Sequence, residues 1–167
     1  SFNTITLPSI PEKVGYITDG FWYDSNDNSH SPNSSVTLSN TTTNFIAKYD
    51  NRETESITAG EYHLGYISTN NQIKKFTYIC EAGASYSVSW VDSYDGNSQL
   101  SALLANAGVS GSSCDVKVSI YSADGSQNVV TNQDSGYNNP VTFTANITGE
   151  YIIEVKPYNS NSTGYFA

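Results

Sequence analysis

Asp92, Asp95, Asp115 and Asp134 come nearest, by type and placement, to a constellation that does chemistry. Asp92 stands just behind the alternating Tyr86, Val88 and Trp90, and Asp115 just ahead of Val116, Val118 and Ile120. If those runs are neighbouring strands, their carboxylates meet at one end of a sheet and offer the hard oxygen ligands that Ca²⁺ takes. Each Asp would serve equally by accepting backbone N–H bonds in its own turn. A second set is aromatic: Trp22 and Tyr23 flank the polar loop at Asp24 to Asn28, while Tyr94 and Tyr137 fall in turns. Such rings stack on the apolar face of a sugar while nearby Asn or Asp groups bond its hydroxyls, or else they pack locally. Asp24, Asn26 and Asn28 alternate like the start of an EF-hand loop, but Ser29 replaces its glycine and Ser35 its closing glutamate.

Nothing comparable supports catalysis. His30 and His63 lack paired metal-ligand spacing, Cys80 and Cys114 form no CxxC, and neither a GxSxG elbow nor a phosphate-cradling glycine loop is present. No catalytic residue is assigned. The two cysteines fall in the inward phases of their strands, which suits either one disulfide or two buried thiols.

The elements that must position these residues are strands. Period-two alternation runs through Tyr62, Leu64, Tyr66; Phe76, Tyr78, Cys80; Tyr86, Val88, Trp90; Val116, Val118, Ile120; Val141, Phe143, Ala145; and Tyr151, Ile153, Val155. Turn signals separate them, at Asp95-Gly96 and Asp124-Gly125 among others. One helical spacing interrupts the pattern, at Leu100, Leu103 and Leu104, with Ser98 placed to cap it. It reads as cover for the sandwich or as a partner contact. Shorter strand signals occupy Val14 to Ile17, Phe21 to Tyr23, Val36 to Leu38 and Phe45 to Tyr49. The hydrophilic stretch Asp50 to Glu55 marks a boundary. The expected fold is therefore all-β: a small β-rich module over 1–52 preceding an antiparallel β-sandwich over 53–167.

The chain has 167 residues, and seven Lys and Arg against sixteen Asp and Glu give it a net charge of -9. That balance excludes a phosphate-binding basic surface, so neither nucleic acid nor an anionic membrane is an expected partner. No apolar run is long enough to span a bilayer. Solubility rests on Asn, Ser and Thr, since only 14% of residues are charged, a style that suits an exported protein. Ser1 does not open a signal peptide, so an export signal would lie outside this sequence. The Gly164 to Ala167 pattern begins a strand and stops, which points to a larger multidomain chain.

Residues 57–167 resemble the bacterial pre-peptidase C-terminal domain, through ITAGEYHLGYI (57–67), KKFTYICEAGASYSVSW (74–90), DVKVSIYSADG (115–125), VTFTANITGEYIIEVKP (141–157) and GYF (164–166). The resemblance implies a β-sandwich appended to secreted proteases and other exported proteins. Some of its members bind calcium or an extracellular polymer. The stretch Asp95 to Ser113 departs from the family pattern. Residues 5–50 more faintly resemble the Listeria-Bacteroides type of surface repeat, in ITLPSIPEKVGYITDGFWYD (5–24) and NFIAKYD (44–50). Together these imply a non-catalytic accessory module at the bacterial surface or outside the cell, and the exposed aromatic and polar loop residues point to carbohydrate as its ligand. The alternative is a structural or protein-adhesive module without sugar binding.

Overall fold

The computed structural model describes residues 3–39, 44–51 and 53–167. Ser1 and, within the boundary stretch, Arg52 lie outside them. Contacts divide the chain into two compact units, Ser1–Arg52 and Glu53–Ala167.

The first unit contains β1 (Thr4–Thr6), β2 (Tyr16–Asp24), β3 (Ser29–His30), β4 (Ser35–Thr37) and β5 (Phe45–Asn51). β2 is the centre of an antiparallel β3-β2-β5 sheet, and β1 pairs β4. The signals at Val14 to Ile17 and Phe21 to Tyr23 merge into this one strand, whose register shifts against β5 between Thr18 and Trp22. Gly20, at φ 88°, supplies the left-handed residue inside that irregularity. Among the described residues of this unit Leu7 alone is an apolar side chain at core burial, 2% exposed. Directional contacts supply much of the cohesion: Trp22 Nε1 donates to Pro8 O at 2.8 Å, Tyr49 Oη donates to Pro11 O at 2.6 Å, and Lys13 Nζ sits 4.2 Å over the Tyr16 ring.

The second unit contains β6 (Thr54–Ser56), β7 (Gly65–Ile67), β8 (Lys74–Cys80), β9 (Ser85–Val88), α1 (Asn97–Asn106), β10 (Val116–Ser122), β11 (Asn128–Gln133), β12 (Val141–Thr144), β13 (Gly149–Pro157) and β14 (Gly164–Phe166). One layer is the five-stranded sheet β11-β10-β13-β8-β6, antiparallel except that β6 runs parallel to β8. The short ladders β12-β9 and β14-β7 form the opposing layer. Phe76, Val116, Val118, Ile120 and Val155 from the first layer share a core with Ile67, Trp90, Val141 and Phe166 from the second. The fold is all-β, a small β-rich module followed by a sandwich, as the alternation required.

Details differ from the sequence reading. Tyr62, Leu64 and Tyr66 do not form one inward row: the strand there starts at Gly65, and Gly65 and Ile67 point inward. Gly65 is required because the Phe166 ring lies where a Cβ would be, 2.3 Å away. α1 starts from Gly96, at φ 79°, without a side-chain cap, so Ser98 lies inside the helix rather than before it. Leu100 and Leu104 bury with Val91 and Ala167, which makes α1 cover for the sandwich.

Cys80 and Cys114 are both free and buried. Cys80 lies opposite Gly149 at one end of β13, whereas Cys114 precedes Val116, which lies opposite Pro157 at the other. The eight positions from Gly149 to Pro157 put the Val116 end of the sheet about 26 Å from Cys80, far beyond the reach of a disulfide.

Candidate functional site

The chain leaves β9 through Trp90 and Val91 and turns at Asp92. Asp92 is fully buried, and its carboxylate is used up by main-chain donors: Oδ1 accepts from Tyr94 N at 2.9 Å and Asp95 N at 2.7 Å, and Oδ2 accepts from Val116 N at 3.0 Å. It ties the turn after β9 to the start of β10. Burial nevertheless pushes its pKa above the ordinary value, opposed by those amide bonds.

Asp95 does the same for a third segment. Its Oδ2 accepts from Tyr137 N at 2.9 Å, from Asn138 N at 3.0 Å and from Ser135 Oγ, and its Oδ1 accepts from Asn138 Nδ2. The Ser135 hydroxyl, followed by the amide donors, holds this carboxyl below its usual range. Two glycines let the segments close up. The Trp90 ring occupies the place of a Cβ on Gly136, 2.1 Å away, and Gly96 takes a left-handed conformation under the Tyr137 ring.

Asp115 and Asp134 complete this end of the sandwich, and each has one buried oxygen, Oδ1, without a hydrogen-bond partner. Burial, then the charges of Asp92 and Asp134, push the Asp115 pKa up to about 6. The sequence-predicted carboxylates are thus brought together but split in role. Two are consumed in stitching loops, which leaves the two carboxylates of Asp115 and Asp134, fewer oxygens than the six to eight that calcium takes. Among the described residues no group of three or more His, Cys, Asp or Glu is arranged to hold a metal ion.

Tyr94 and Tyr137 belong to the same end and stand 67% and 42% exposed, on the two loops that Asp95 joins. Trp22 and Tyr23 are different. Both are half-buried in the first unit, where Trp22 is held by Pro8 while Tyr23 donates to Asp19 under Lys48, whose Nζ lies 3.8 Å from its ring centre. The Asp24 loop closes on itself: Oδ1 accepts from Asn26 N and Asn28 N, and Oδ2 lies 2.8 Å from His30 Nε2. The His30 contact and those amides lower the Asp24 pKa to about 2, the signature of a turn-forming carboxylate.

A feature that alternation did not announce lies along the other edge of β9. A groove of about 360 Å³ opens between β9 and the segment Ile57 to Tyr62, floored by Tyr78, Tyr151, Ile120 and Ile153. A smaller hollow of about 90 Å³ continues it toward Trp90, Phe166 and Ala167.

The chain matches no protein-family model, and no curated protein or solved structure shows significant similarity to it. What fold and site define is a mostly β protein without, among the described residues, a metal-binding cluster. No helix among them is long and apolar enough to cross a membrane.

Proposed function

We propose that this chain is a non-catalytic accessory module of a secreted or bacterial surface protein, and that it attaches a larger multidomain chain to an extracellular glycan through Tyr94 and Tyr137. The observation that carries this reading is that two exposed tyrosines project from loops locked together by Asp95. Rings on an immobilised loop lose little entropy on binding, and each combines an apolar face with a polar tip. The resemblance of residues 57–167 to the pre-peptidase C-terminal domain supports an exported setting. Calcium enters as a counter-charge to the partnerless oxygens of Asp115 and Asp134, with water completing its shell.

A screen of immobilised glycans and matrix proteins, with calcium or with a chelator, tests the reading. Saturable sugar binding is expected, weakened at least tenfold by Tyr94→Ala or Tyr137→Ala and unchanged by Tyr23→Ala. Calcium is expected to raise the melting temperature of the unaltered protein and to leave that of Asp115→Asn unmoved. Sugar binding that survives both tyrosine changes would sink the assignment. A protein-adhesive reading without sugar binding is favoured by the apolar groove beside β9.

A further inference from the structure

Several main-chain segments lie side by side at the end of the sandwich that Asp92 ties together. Ser93 N donates to Cys114 O at 3.1 Å and Val116 N donates to the Asp92 carboxylate, so the turn after β9 runs along one edge of residues 114–116. Tyr158 N donates to Asp115 O at 2.8 Å. That bond continues the β10-β13 ladder one residue past the Val116–Pro157 pair and puts Tyr158 on the opposite edge. A further segment is joined on through Asp95, which holds Tyr137 and Asn138.

Among the described residues of the second unit, the exposed large aromatic side chains are those of Tyr62, Tyr94, Tyr137 and Tyr158. Tyr62 lines the groove beside β9, and the other three gather at this end. The Phe and Trp rings of the unit are buried or half-buried. A ring that carries a hydroxyl suits a partner that is apolar on one face and hydroxylated at its edges, as a sugar is. Tyr158 stands 46% exposed and is held in place as the other two are. Pro157 restrains the backbone before it, and Asn159 Oδ1 closes a turn behind it by accepting from Asn161 N at 2.9 Å and Ser162 Oγ at 3.1 Å.

Neighbouring strands lie about 4.8 Å apart, so the main chains that carry Tyr94 and Tyr158 are separated by about 10 Å across residues 114–116. Stacking needs atoms in contact at about 3.5 to 4.0 Å. Rings rooted so far apart match successive sugars of a chain better than one sugar. We propose that Tyr158 is a third binding residue of this site, and that the site takes a linear oligosaccharide with one sugar over Tyr158 and others over Tyr94 and Tyr137. This rests on the glycan reading above and adds to it the length of the ligand.

The test titrates the full chain, by calorimetry, with soluble ladders of β-1,4-linked glucose and of β-1,4-linked N-acetylglucosamine, one to six units long. Affinity is expected to climb at least tenfold from one unit to four. Tyr158→Ala is expected to remove that climb, weakening the four-unit ligand at least tenfold and the shortest binder less than twofold. Tyr158→Phe keeps the ring and should keep the climb. Mapping tyrosine nitration by mass spectrometry asks the same of the unaltered protein: four units, but not one, should shield Tyr158. Equal affinity for one and four units would overturn the proposal, and so would a Tyr158→Ala variant that binds the four-unit ligand normally. In both of those cases, weakened binding by Tyr94→Ala leaves the glycan reading standing. Failure of both ladders to saturate at millimolar concentration would also overturn the proposal, and a negative screen of immobilised glycans beside it removes the glycan reading too.

Discussion

Asp115 shows how one residue's surroundings reverse the usual link between a carboxylate and stability. Most carboxylates in folded proteins gain partners and titrate low, as Asp24 does here. Asp115 has a buried oxygen with no donor and two carboxylates nearby, and its pKa of about 6 exceeds the ordinary 3.8. The folded state therefore holds this proton more tightly than the unfolded chain does, so the group's contribution falls as pH rises through the window from about 4 to 6 and stays lowered above it. Asp115→Asn is expected to raise the unfolding free energy by about 1 kcal/mol at pH 7, less than the full shift implies because the group is partly solvated. The gain should shrink toward pH 4, as denaturant titrations across that range would read. The sequence placed Asp92 and Asp115 at adjoining strand ends, because strand phase and turn position are local. Which oxygens find donors depends on segments arriving from residue 134 onward, and no spacing encodes that.

Among the elements, legibility follows burial. β8, β10 and β13 were evident because alternate side chains along them are apolar and enter one core. β6, with sequence TES, and β11, with NVVTNQ, close the two edges of the large sheet and carry mostly polar residues, so alternation could not mark them. α1 was visible through its leucines, but its start was misplaced because a left-handed glycine, not a hydroxyl, ends the turn before it. Since Leu100 is fully buried against Val91, Leu100→Ala is expected to cost about 2 to 5 kcal/mol without abolishing sugar binding elsewhere. Thermal denaturation of that variant, compared with its binding curve, separates cover from contact surface. The groove escaped the sequence for another reason: it is the space beside β9, and pattern reading reports the side chains that are present, not the hollows between them.

At the scale of the whole molecule, the two units differ in how they are held. The second has a shared core drawn from both layers, whereas the first, among its described residues, keeps Leu7 as its one apolar side chain at core burial. Hydrogen bonds from Trp22 and Tyr49 and lysines over aromatic rings are each worth about 1 kcal/mol, too little for a piece of this size to stand far from its midpoint. A fragment of residues 53–167 is expected to unfold cooperatively, while a fragment of residues 1–52 should lose its structure first in limited proteolysis. Two sharp and equal transitions would contradict that ranking.

The separation of Cys80 from Cys114 carries a consequence for the redox conditions under which these residues fold. Both thiols are sealed in the interior, and burial pushes Cys114 up to about 12, where almost no thiolate forms at ordinary pH. With no bond to make between them, residues 53–167 need neither an oxidase nor an isomerase to fold, and a glutathione-rich or an oxidising solution should yield the same native state. Refolding yields with and without dithiothreitol are expected to agree.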